Sequence, residues 1–417
     1  MICVAGKNNI ASDVLEYIVA KIGAENVVAV VNADDSGRHL WQKSLRKTAG
    51  VLGVREVLIN DIYDIKNLIF LSIEFDTIIR PEKFKSNELF NIHFSLLPKY
   101  KGVYTAVWPL LNGENESGVT FHKIARGIDT GPIIDQVAFA VDIADTARDL
   151  YIKCLDLGAM VVKNNFEIVR TGSYVTRPQA VVNSSYYALK SINFASIDID
   201  LNQTAYQIHN FVRAFSFYEY QLPIVLGQQV WRSEILPIMS NIKSGTVTAD
   251  NEAYFDLATI DYQIRLHKDY TKELFKAVEN GDETTVAQLA PRVHSINLTN
   301  RAGWSMLMVA AYNNAGAIAD ILIRYGADVN QSNLNGTSVL MYAKNGALCK
   351  SDVRLLKSLL AVGANIHWKD YNGRTLLDYA HDDGNHTIIE FIKRELSDNN
   401  EVVQSRRTEA GRIFPES

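Results

Sequence analysis

The sequence contains few of the residues that mark disulfide-rich, metal-binding or membrane-spanning proteins. Its 417 residues include only three cysteines, Cys3, Cys154 and Cys349, which are far apart along the chain. An odd number of isolated cysteines predicts neither a disulfide framework nor a Cys/His metal site, and it suits a reducing cytoplasm. No run of about 18 or more apolar residues is present, and the first residues do not have the pattern of a signal peptide. We therefore expect a cytoplasmic protein with no metal and no membrane partner.

The sequence also lacks a strong excess of charge of one sign. Its formal net charge is −5 and it has no long basic run, which argues against nucleic acid as a partner. Hydrophobic residues make up 47% and charged residues 21% of the chain, as in globular domains. Because 417 residues exceed the usual size of one domain, we expect two or three domains.

The first section has the pattern of an open α/β sheet. The apolar stretch Ile2–Ala5 runs into Gly6, a helical pattern follows with Ser12 and Asp13 as its predicted caps, and Val27–Val31 is apolar again. This order of strand, helix and strand predicts a Rossmann-like parallel sheet, whose ligands lie beyond the carboxyl ends of the strands. A single glycine is not the G-x-G-x-x-G signature, so we predict no dinucleotide.

Three polar residues in this section form a set suited to acyl transfer. Asn91 and His93 are two residues apart after an apolar run, so on an extended segment their side chains point to the same face. Asn91 can donate a hydrogen bond to a developing oxyanion, and His93 can act as general base near pH 7. Asp129, in a D-T-G-P turn, can orient the histidine and stabilise its protonated form. This combination indicates transfer of an acyl group to an amine.

Three sequence blocks resemble the 10-formyltetrahydrofolate-dependent formyltransferase family. N-I-H-F-S-L-L-P-K-Y-K-G begins at Asn91, G-V-T-F-H ends at His122, and D-T-G-P-I-I begins at Asp129. The resemblance covers residues 1–180, which we assign to a catalytic domain. It implies 10-formyltetrahydrofolate as co-substrate, no metal, and catalysis by the asparagine, histidine and aspartate of these blocks.

The same resemblance implies a site for the folate carrier. In this family the backbone of the loop after the fourth strand helps to hold the pterin, which points to Phe75, Ile78 and Ile79, and the Asp129 turn borders the pterin. The two isoleucines could equally be core residues. His122 is either a second catalytic histidine or a structural one bonded to the neighbouring backbone, and the family assigns the chemistry to the histidine of the first block.

Residues 181–270 read as a helix followed by strands. The section resembles the small β-rich subdomain of nucleotide-sugar formyltransferases, which implies a nucleotide-binding role. An arginine can pair with phosphate, an aromatic face can stack on a pyrimidine, and an amide can read the edge of the base. The aromatic residues could instead pack between helix and sheet. The candidates for substrate binding, including one within and one just after the first sequence block, are Lys101, Tyr104, Arg213, Phe215, Tyr218 and Gln221.

The third section, residues 271–397, is repetitive. Similar segments begin at Gly303, Gly336 and Gly373, at spacings of 33 and 37 residues. This pattern resembles ankyrin repeats, which are all-α and must stack to bury their apolar faces. The longer spacing predicts a loop near residues 347–351.

Two further features of this part of the chain concern its surface. Trp304 follows the glycine of the first repeat, where it serves either as an exposed binding anchor or as a plug against the catalytic domain. Residues 398–417 read as a polar tail.

Taken together, the resemblances imply N-formylation of a dTDP-linked 3-amino-3,6-dideoxyhexose, such as dTDP-3-amino-3,6-dideoxyglucose, for lipopolysaccharide O-antigen synthesis. They also imply a homodimer. A methionyl-tRNA formyltransferase would need a basic surface, and a purine-nucleotide formyltransferase would be shorter. Two alternatives stay open: a 4-amino nucleotide sugar as substrate, and a binding protein based on the ankyrin repeats with a vestigial transferase fold. The repeats could also bind a second nucleotide sugar or a protein. Sugar configuration, amine position and nucleotide base stay open as well.

Overall fold

Seven strands form the main sheet of a computed structural model that describes residues 1–397. The predicted tail, 398–417, lies outside the described residues. The strands are β1 (Ile2–Gly6), β2 (Val27–Val31), β3 (Arg55–Glu56), β4 (Ile69–Ile73), β5 (Glu88–His93), β7 (Glu116–Lys123) and β8 (Ile133–Ala140), with β6 belonging to a separate pair. Their order is β3-β2-β1-β4-β5-β7-β8. The first five are parallel, and β7 and β8 are antiparallel to their neighbours.

A core lies on each face of this sheet, which explains why β1 and most of β2 are buried, and four helices belong to this part of the chain. They are α1 (Asn8–Ile22), α2 (Leu45–Leu52), α3 (Trp108–Leu111) and α4 (Ala147–Thr171). One core contains side chains of α1 and α4, and a second core includes Phe70 and Phe84. The predicted caps of α1 were wrong: the helix begins at Asn8, and Ser12 is fully buried within it. The strand–helix–strand order and the parallel sheet confirm the predicted Rossmann-like fold.

A smaller sheet follows in the same part of the chain. Its strands are β10 (Ile224–Val225), β11 (Gln228–Met239), β12 (Val247–Asp250), β13 (Tyr254–Ala258) and β14 (Tyr262–Lys268), in the order β10-β11-β14-β13-β12. Helix α5 (Ala205–Ala214) shares a core with it. Two short parallel strands, β6 (Lys101–Gly102) and β9 (Tyr186–Tyr187), form a separate pair next to the first sequence block. The β-rich section is therefore confirmed.

Contacts divide the chain into two compact units, with the boundary between Asp269 and Tyr270. The second unit is helical, with α6 (Thr271–Asn280), α7 (Glu283–Leu289), α8 (Met306–Tyr312), α9 (Gly316–Arg324), α10 (Val339–Lys350), α11 (Arg354–Ala361) and α12 (Leu376–Asp383); residues 386–397 are also helical. Equivalent backbone bridges join residues 299 and 305, 332 and 338, and 369 and 375, so they repeat the spacings of 33 and 37 residues. The predicted loop near residues 347–351 was wrong, because α10 continues to Lys350.

In the described part of the chain, the helices are too short or too polar to cross a membrane.

Candidate functional site

The carboxyl ends of β1, β4 and β5 open into a cleft of about 520 Å³, where the fold predicts a ligand. Strand pairing sets the positions of its polar residues, because Ser72 of β4 lies beside Asn91 of β5 and Asn91 lies opposite His122 of β7. The cleft brings together seven of the residues predicted from the sequence: Phe75, Ile78, Ile79, Asn91, His93, Tyr104 and Asp129.

Both ring nitrogens of His93 have polar neighbours. Nε2 lies 2.8 Å from the Tyr100 carbonyl oxygen, and because a carbonyl can only accept, Nε2 carries the hydrogen and donates it. Nδ1 lies 3.5 Å from Oδ2 of Asp129. Nδ1 is therefore the nitrogen through which His93 can exchange a proton, and it does so next to a carboxylate.

His122 orients the amide of Asn91. Its Nδ1 donates to the carbonyl of Lys123 at 2.8 Å, which leaves Nε2 as an acceptor for the Nδ2–H of Asn91 at 3.2 Å. The bond to the neighbouring backbone matches the structural alternative predicted for this histidine. Its contact with Asn91 was missed, because the two residues are 31 positions apart and nothing in the sequence indicates how β5 and β7 pair.

Asp129 is almost enclosed, with 11% of its side chain exposed. Oδ2 accepts the backbone N–H of Gly102 at 2.9 Å, and Oδ1 lies 3.4 Å from Nδ2 of Asn91. Burial would raise the pKa of this carboxyl, but the neighbouring His93, a contact with His122 and the Gly102 N–H together hold the pKa well below its ordinary value. Asp129 is therefore a carboxylate at neutral pH.

Gly102 has to be a glycine for the Asp129 contact to form. Its φ is +89°, and a Cβ at this position would lie 2.1 Å from the carbonyl oxygen of Tyr187 in the neighbouring strand β9. Any side chain would push β6 away from β9 and move the N–H that Asp129 accepts. The glycine that ends the first sequence block thus positions the carboxylate from the third.

Several non-glycine residues around the cleft adopt left-handed backbone conformations. Such a conformation costs about 1–2 kcal/mol per residue, and strain of this kind concentrates at functional sites. The residues, with their φ angles, are Asn8 (66°), Glu74 (54°), Tyr100 (59°), Tyr104 (62°) and Asp129 (51°).

The loop predicted to hold the carrier lines the cleft in part with apolar side chains. Ile78 is 70% exposed, whereas Phe75 and Ile79 pack partly against a core on one face of the sheet. The roles predicted for these three residues stay predictions.

The predicted substrate-binding residues separate into two groups. Tyr104 lines the cleft, and Lys101 beside it contacts Ser184. Arg213 is 4% exposed, and its guanidinium donates to Asn210 and to the carbonyl of Asp142.

Phe215, which is 5% exposed, packs against Phe211 and Phe194. The structure does not bring Arg213 or Phe215 to the cleft, because both are taken up by internal packing. Tyr218 and Gln221 are also absent from its lining.

The sequence analysis missed a polar cluster at one end of the cleft. Nδ2 of Asn8 and the hydroxyl of Tyr151 both donate to Oε2 of Glu74, at 2.9 and 2.8 Å. Lys7 also lines the cleft and pairs with Asp34. These residues are far apart in sequence, and the one available signal was the position of Lys7 and Glu74 just after strand ends.

Trp304 is half-buried within the second unit. Its ring lies 4.4 Å from that of Tyr342 and 5.5 Å from that of Tyr312. Tyr312 is 47% exposed, so this aromatic group reaches the surface of the repeats.

Among residues 1–397, no three His, Cys, Asp or Glu side chains are placed to hold a metal ion.

Comparisons with known proteins agree on the chemistry of the first unit. The sequence matches the formyl transferase family over residues 75–166 and a set of three ankyrin repeats over residues 274–356. One solved relative is WlaRD, a sugar 3N-formyl transferase crystallised with dTDP and 5-N-formyl-THF. It is 45% identical, has a TM-score of 0.61, and the match covers 64% of this chain and 97% of that one.

Two further relatives widen the comparison. The N-formyltransferase of Helicobacter canadensis, in complex with folinic acid and dTDP-3-aminofucose, is 42% identical with a TM-score of 0.61, and the match covers 64% of this chain and 98% of that one. The methionyl-tRNA formyltransferase of Clostridioides difficile (strain 630) is 31% identical over 176 residues, which are 41% of this chain and 55% of that protein. The chain thus spans about half the length of this curated relative.

Proposed function

Because this chain belongs to the formyltransferase family and carries ankyrin repeats, we propose that it transfers a formyl group from 10-formyltetrahydrofolate to the amino group of a dTDP-linked 3-amino-3,6-dideoxyhexose. The observation that carries the proposal is the 45% identity, over 97% of its length, to a sugar 3N-formyl transferase crystallised with dTDP and a formylated folate. The glucose-type sugar, dTDP-3-amino-3,6-dideoxyglucose, is our choice of acceptor. The product would supply a cytoplasmic pathway to O-antigen.

The geometry of the cleft supports a direct transfer. The sugar amine attacks the formyl carbon, a C–N bond forms, and the carbonyl electrons move to oxygen. Asn91 donates to that oxygen the Nδ2–H that His122 does not accept, a contact worth about 3 kcal/mol in the transition state. The proton leaving the amine passes to Nδ1 of His93, the nitrogen left available by the Nε2 bond to the Tyr100 carbonyl.

Asp129 then stabilises the protonated ring from 3.5 Å. Because its pKa is held low, it stays charged while His93 carries the proton. The bond from the formyl carbon to the carrier nitrogen breaks, and that nitrogen takes the electron pair and the proton that His93 accepted from the amine. The products are a formamido sugar and tetrahydrofolate, and no metal is needed in this scheme.

A coupled assay tests the reaction. Purified protein is given 10-formyltetrahydrofolate and a panel of dTDP- and UDP-linked 3-amino and 4-amino sugars, with His93→Ala as the inactive variant. His367→Ala is the matched control, since His367 is exposed and in the other unit. We expect turnover of a dTDP-3-amino sugar that is lost only in His93→Ala. Turnover of a 4-amino sugar would replace the substrate proposal, and no turnover by folded protein would favour the binding-protein alternative.

We propose that two copies pair through the smaller sheet. Met239 is 75% exposed and lies beside Tyr262, itself 42% exposed, in the pairing of β11 with β14. A second copy of the same face would cover these side chains.

We propose that the repeats bind a second ligand, a nucleotide sugar or a protein, near Trp304. The half-buried indole and the exposed Tyr312 beside it form an aromatic surface, a residue type that often anchors binding sites. Trp304→Ala should remove one binding site in calorimetry or change the shape of the steady-state curve. Unchanged curves and an unchanged number of sites would contradict this assignment.

A further inference from the structure

Glu74 lies beside the catalytic histidine at the sheet edge. Ile73, the last residue of β4, pairs with Ile92 of β5. The residue after Ile73 is Glu74, and the residue after Ile92 is His93. Neighbouring strands are about 4.8 Å apart. Lys7 has the corresponding position after β1, because Gly6 pairs with Ile73. Glu74 and His93 therefore follow paired residues of neighbouring strands, and both line the cleft.

The two carboxylate oxygens of Glu74 differ in their hydrogen bonds, since residues in the described part of the chain donate to Oε2 and not to Oε1. Oε2 accepts from Asn8 and Tyr151, and the backbone carbonyl of Glu74 accepts Nδ2–H of Asn32 at 3.0 Å. Within residues 1–397, Oε1 accepts no hydrogen bond, although Glu74 lines the cleft. The side chain is thus fixed in place with one acceptor free for a ligand.

Three carboxylates line the cleft, and two of them, Glu74 and Asp129, follow strands on opposite sides of the catalytic pair. Glu74 follows β4 and Asp129 follows β7, and β5, with Asn91 and His93, runs between β4 and β7 in the sheet. The partners of Glu74 come from the start of α1 and from α4, whereas Phe75 of the next loop packs into the other core. The predicted carrier loop, from Phe75 on, and the partners of Glu74 lie on opposite faces of the sheet, so a carrier held by that loop leaves the carboxylate of Glu74 for the amine.

We propose that Oε1 of Glu74 binds the amino group of the acceptor sugar and directs its nitrogen to the formyl carbon. A carboxylate distinguishes an ammonium group from a hydroxyl by charge, because a hydrogen bond between two charged groups is stronger than one to a neutral donor. Burial raises the pKa of Glu74, while Asn8, Tyr151 and Lys7 oppose the rise. A more basic carboxylate is a stronger acceptor for the amine hydrogens. The inference rests on the proposed function and adds a specificity residue to it.

Glu74→Gln keeps the size of the side chain and removes its charge. We expect KM for the dTDP-3-amino sugar to rise at least tenfold, with KM for 10-formyltetrahydrofolate and the affinity for dTDP alone changed by less than about twofold. In calorimetry the wild type should prefer the amino sugar over the matching dTDP sugar with a hydroxyl in place of the amine, and the variant should lose that preference. Glu56→Gln is the matched control, because Glu56 is an exposed partner of Arg46 outside the cleft.

The outcomes separate this inference from the proposed function. A wild type inactive on every amino sugar overturns both. If the wild type is active, two results for Glu74→Gln overturn the inference alone. In the first, the variant keeps the wild-type KM and the preference for the amine; in the second, its KM rises equally for both substrates. If Glu74→Gln has a much lower Tm than the wild type, Tyr151→Phe is the variant that tests the inference. It removes one hydrogen-bond donor to Oε2 of Glu74 and keeps the packing of the ring. That variant should raise only the amino-sugar KM, by about threefold, and no selective rise would overturn the inference.

Discussion

Replacing Asn91 with Asp would place a second carboxylate against Asp129. Nδ2 of Asn91 lies 3.4 Å from Oδ1 of Asp129, and the site is largely shielded from solvent. At this distance, with an effective dielectric constant of about 20, two unit charges repel by about 5 kcal/mol. A free-energy loss of this size should lower Tm by about 10 °C at pH 8 in a unit of this length.

The loss should depend on pH in a defined direction. Repulsion raises the pKa of the introduced carboxyl in the folded state above its unfolded value of about 3.9, toward about 7. The folded state then binds more protons than the unfolded state between these values, so stability falls as the pH rises through the folded pKa. Asn91→Asp should approach Asn91→Ala in stability at pH 5 and be much less stable at pH 8.

Thermal unfolding of three variants measures this effect. Asn91→Ala reports the loss of the amide alone, and Asn193→Asp reports the charge change at an exposed turn where the side-chain oxygen still accepts the Ala195 N–H. Equal Tm values for Asn91→Asp and Asn91→Ala at pH 8, or a gap that stays constant down to pH 5, would refute the close approach of residues 91 and 129. In the coupled assay, Asn91→Ala should lower kcat by about 10²- to 10³-fold.

Three further predictions concern the surroundings of the site and the repeats. Gly102→Ala should lower the free energy of unfolding in urea by more than about 2 kcal/mol and should reduce activity. Gly53 is the control, because it also has a positive φ but a Cβ there would lie in open space, so Gly53→Ala should lower that free energy by only about 1 kcal/mol. Asn330→Ala should destabilise the second unit by about 2 kcal/mol, because it removes two bonds to the next repeat, to the Gly363 carbonyl and the Asn365 N–H; unchanged chemical denaturation would contradict this. Met239→Lys should shift sedimentation from dimer to monomer without lowering Tm, and an unchanged sedimentation coefficient would contradict pairing through the smaller sheet.

Periodic features could be predicted from the sequence because they are local. The repeat spacings follow from segments that each fold in the same way, and their capping residues, Ser305, Ser338 and Thr375, are equivalent positions in the structure. The predicted loop at residues 347–351 was wrong for a related reason. Extra residues that suit a helix can lengthen α10 and need not form a separate loop, and sequence spacing does not distinguish these outcomes.

Side-chain chemistry alone could not place the residues that bind substrate. Arg213 has the right chemistry for a phosphate, but its position on α5 directs it to Asn210 and the Asp142 carbonyl. Glu74 was overlooked for the opposite reason, because its partners are 66 and 77 residues away and its role depends on strand register. Chemical type suggests what a residue can bind, and only the packing decides whether it faces the cleft.

Glu74 and Asp129, two of the carboxylates that line the cleft, show how a single sheet edge can supply two different chemistries. Asp129 has a lowered pKa despite its burial, because two histidines and a backbone N–H favour its charged form. Glu74 has a raised pKa, because burial outweighs the bonds from Asn8 and Tyr151. Environments that separate the pKa values of two carboxyl groups in this way give the two groups different roles in acid–base chemistry. With His93 between them, the permanently charged carboxylate can stabilise the proton that His93 accepts. In the reaction that we propose, the more basic one holds the amine that gives the proton up, and the order of strands β4, β5 and β7 places His93 between the two.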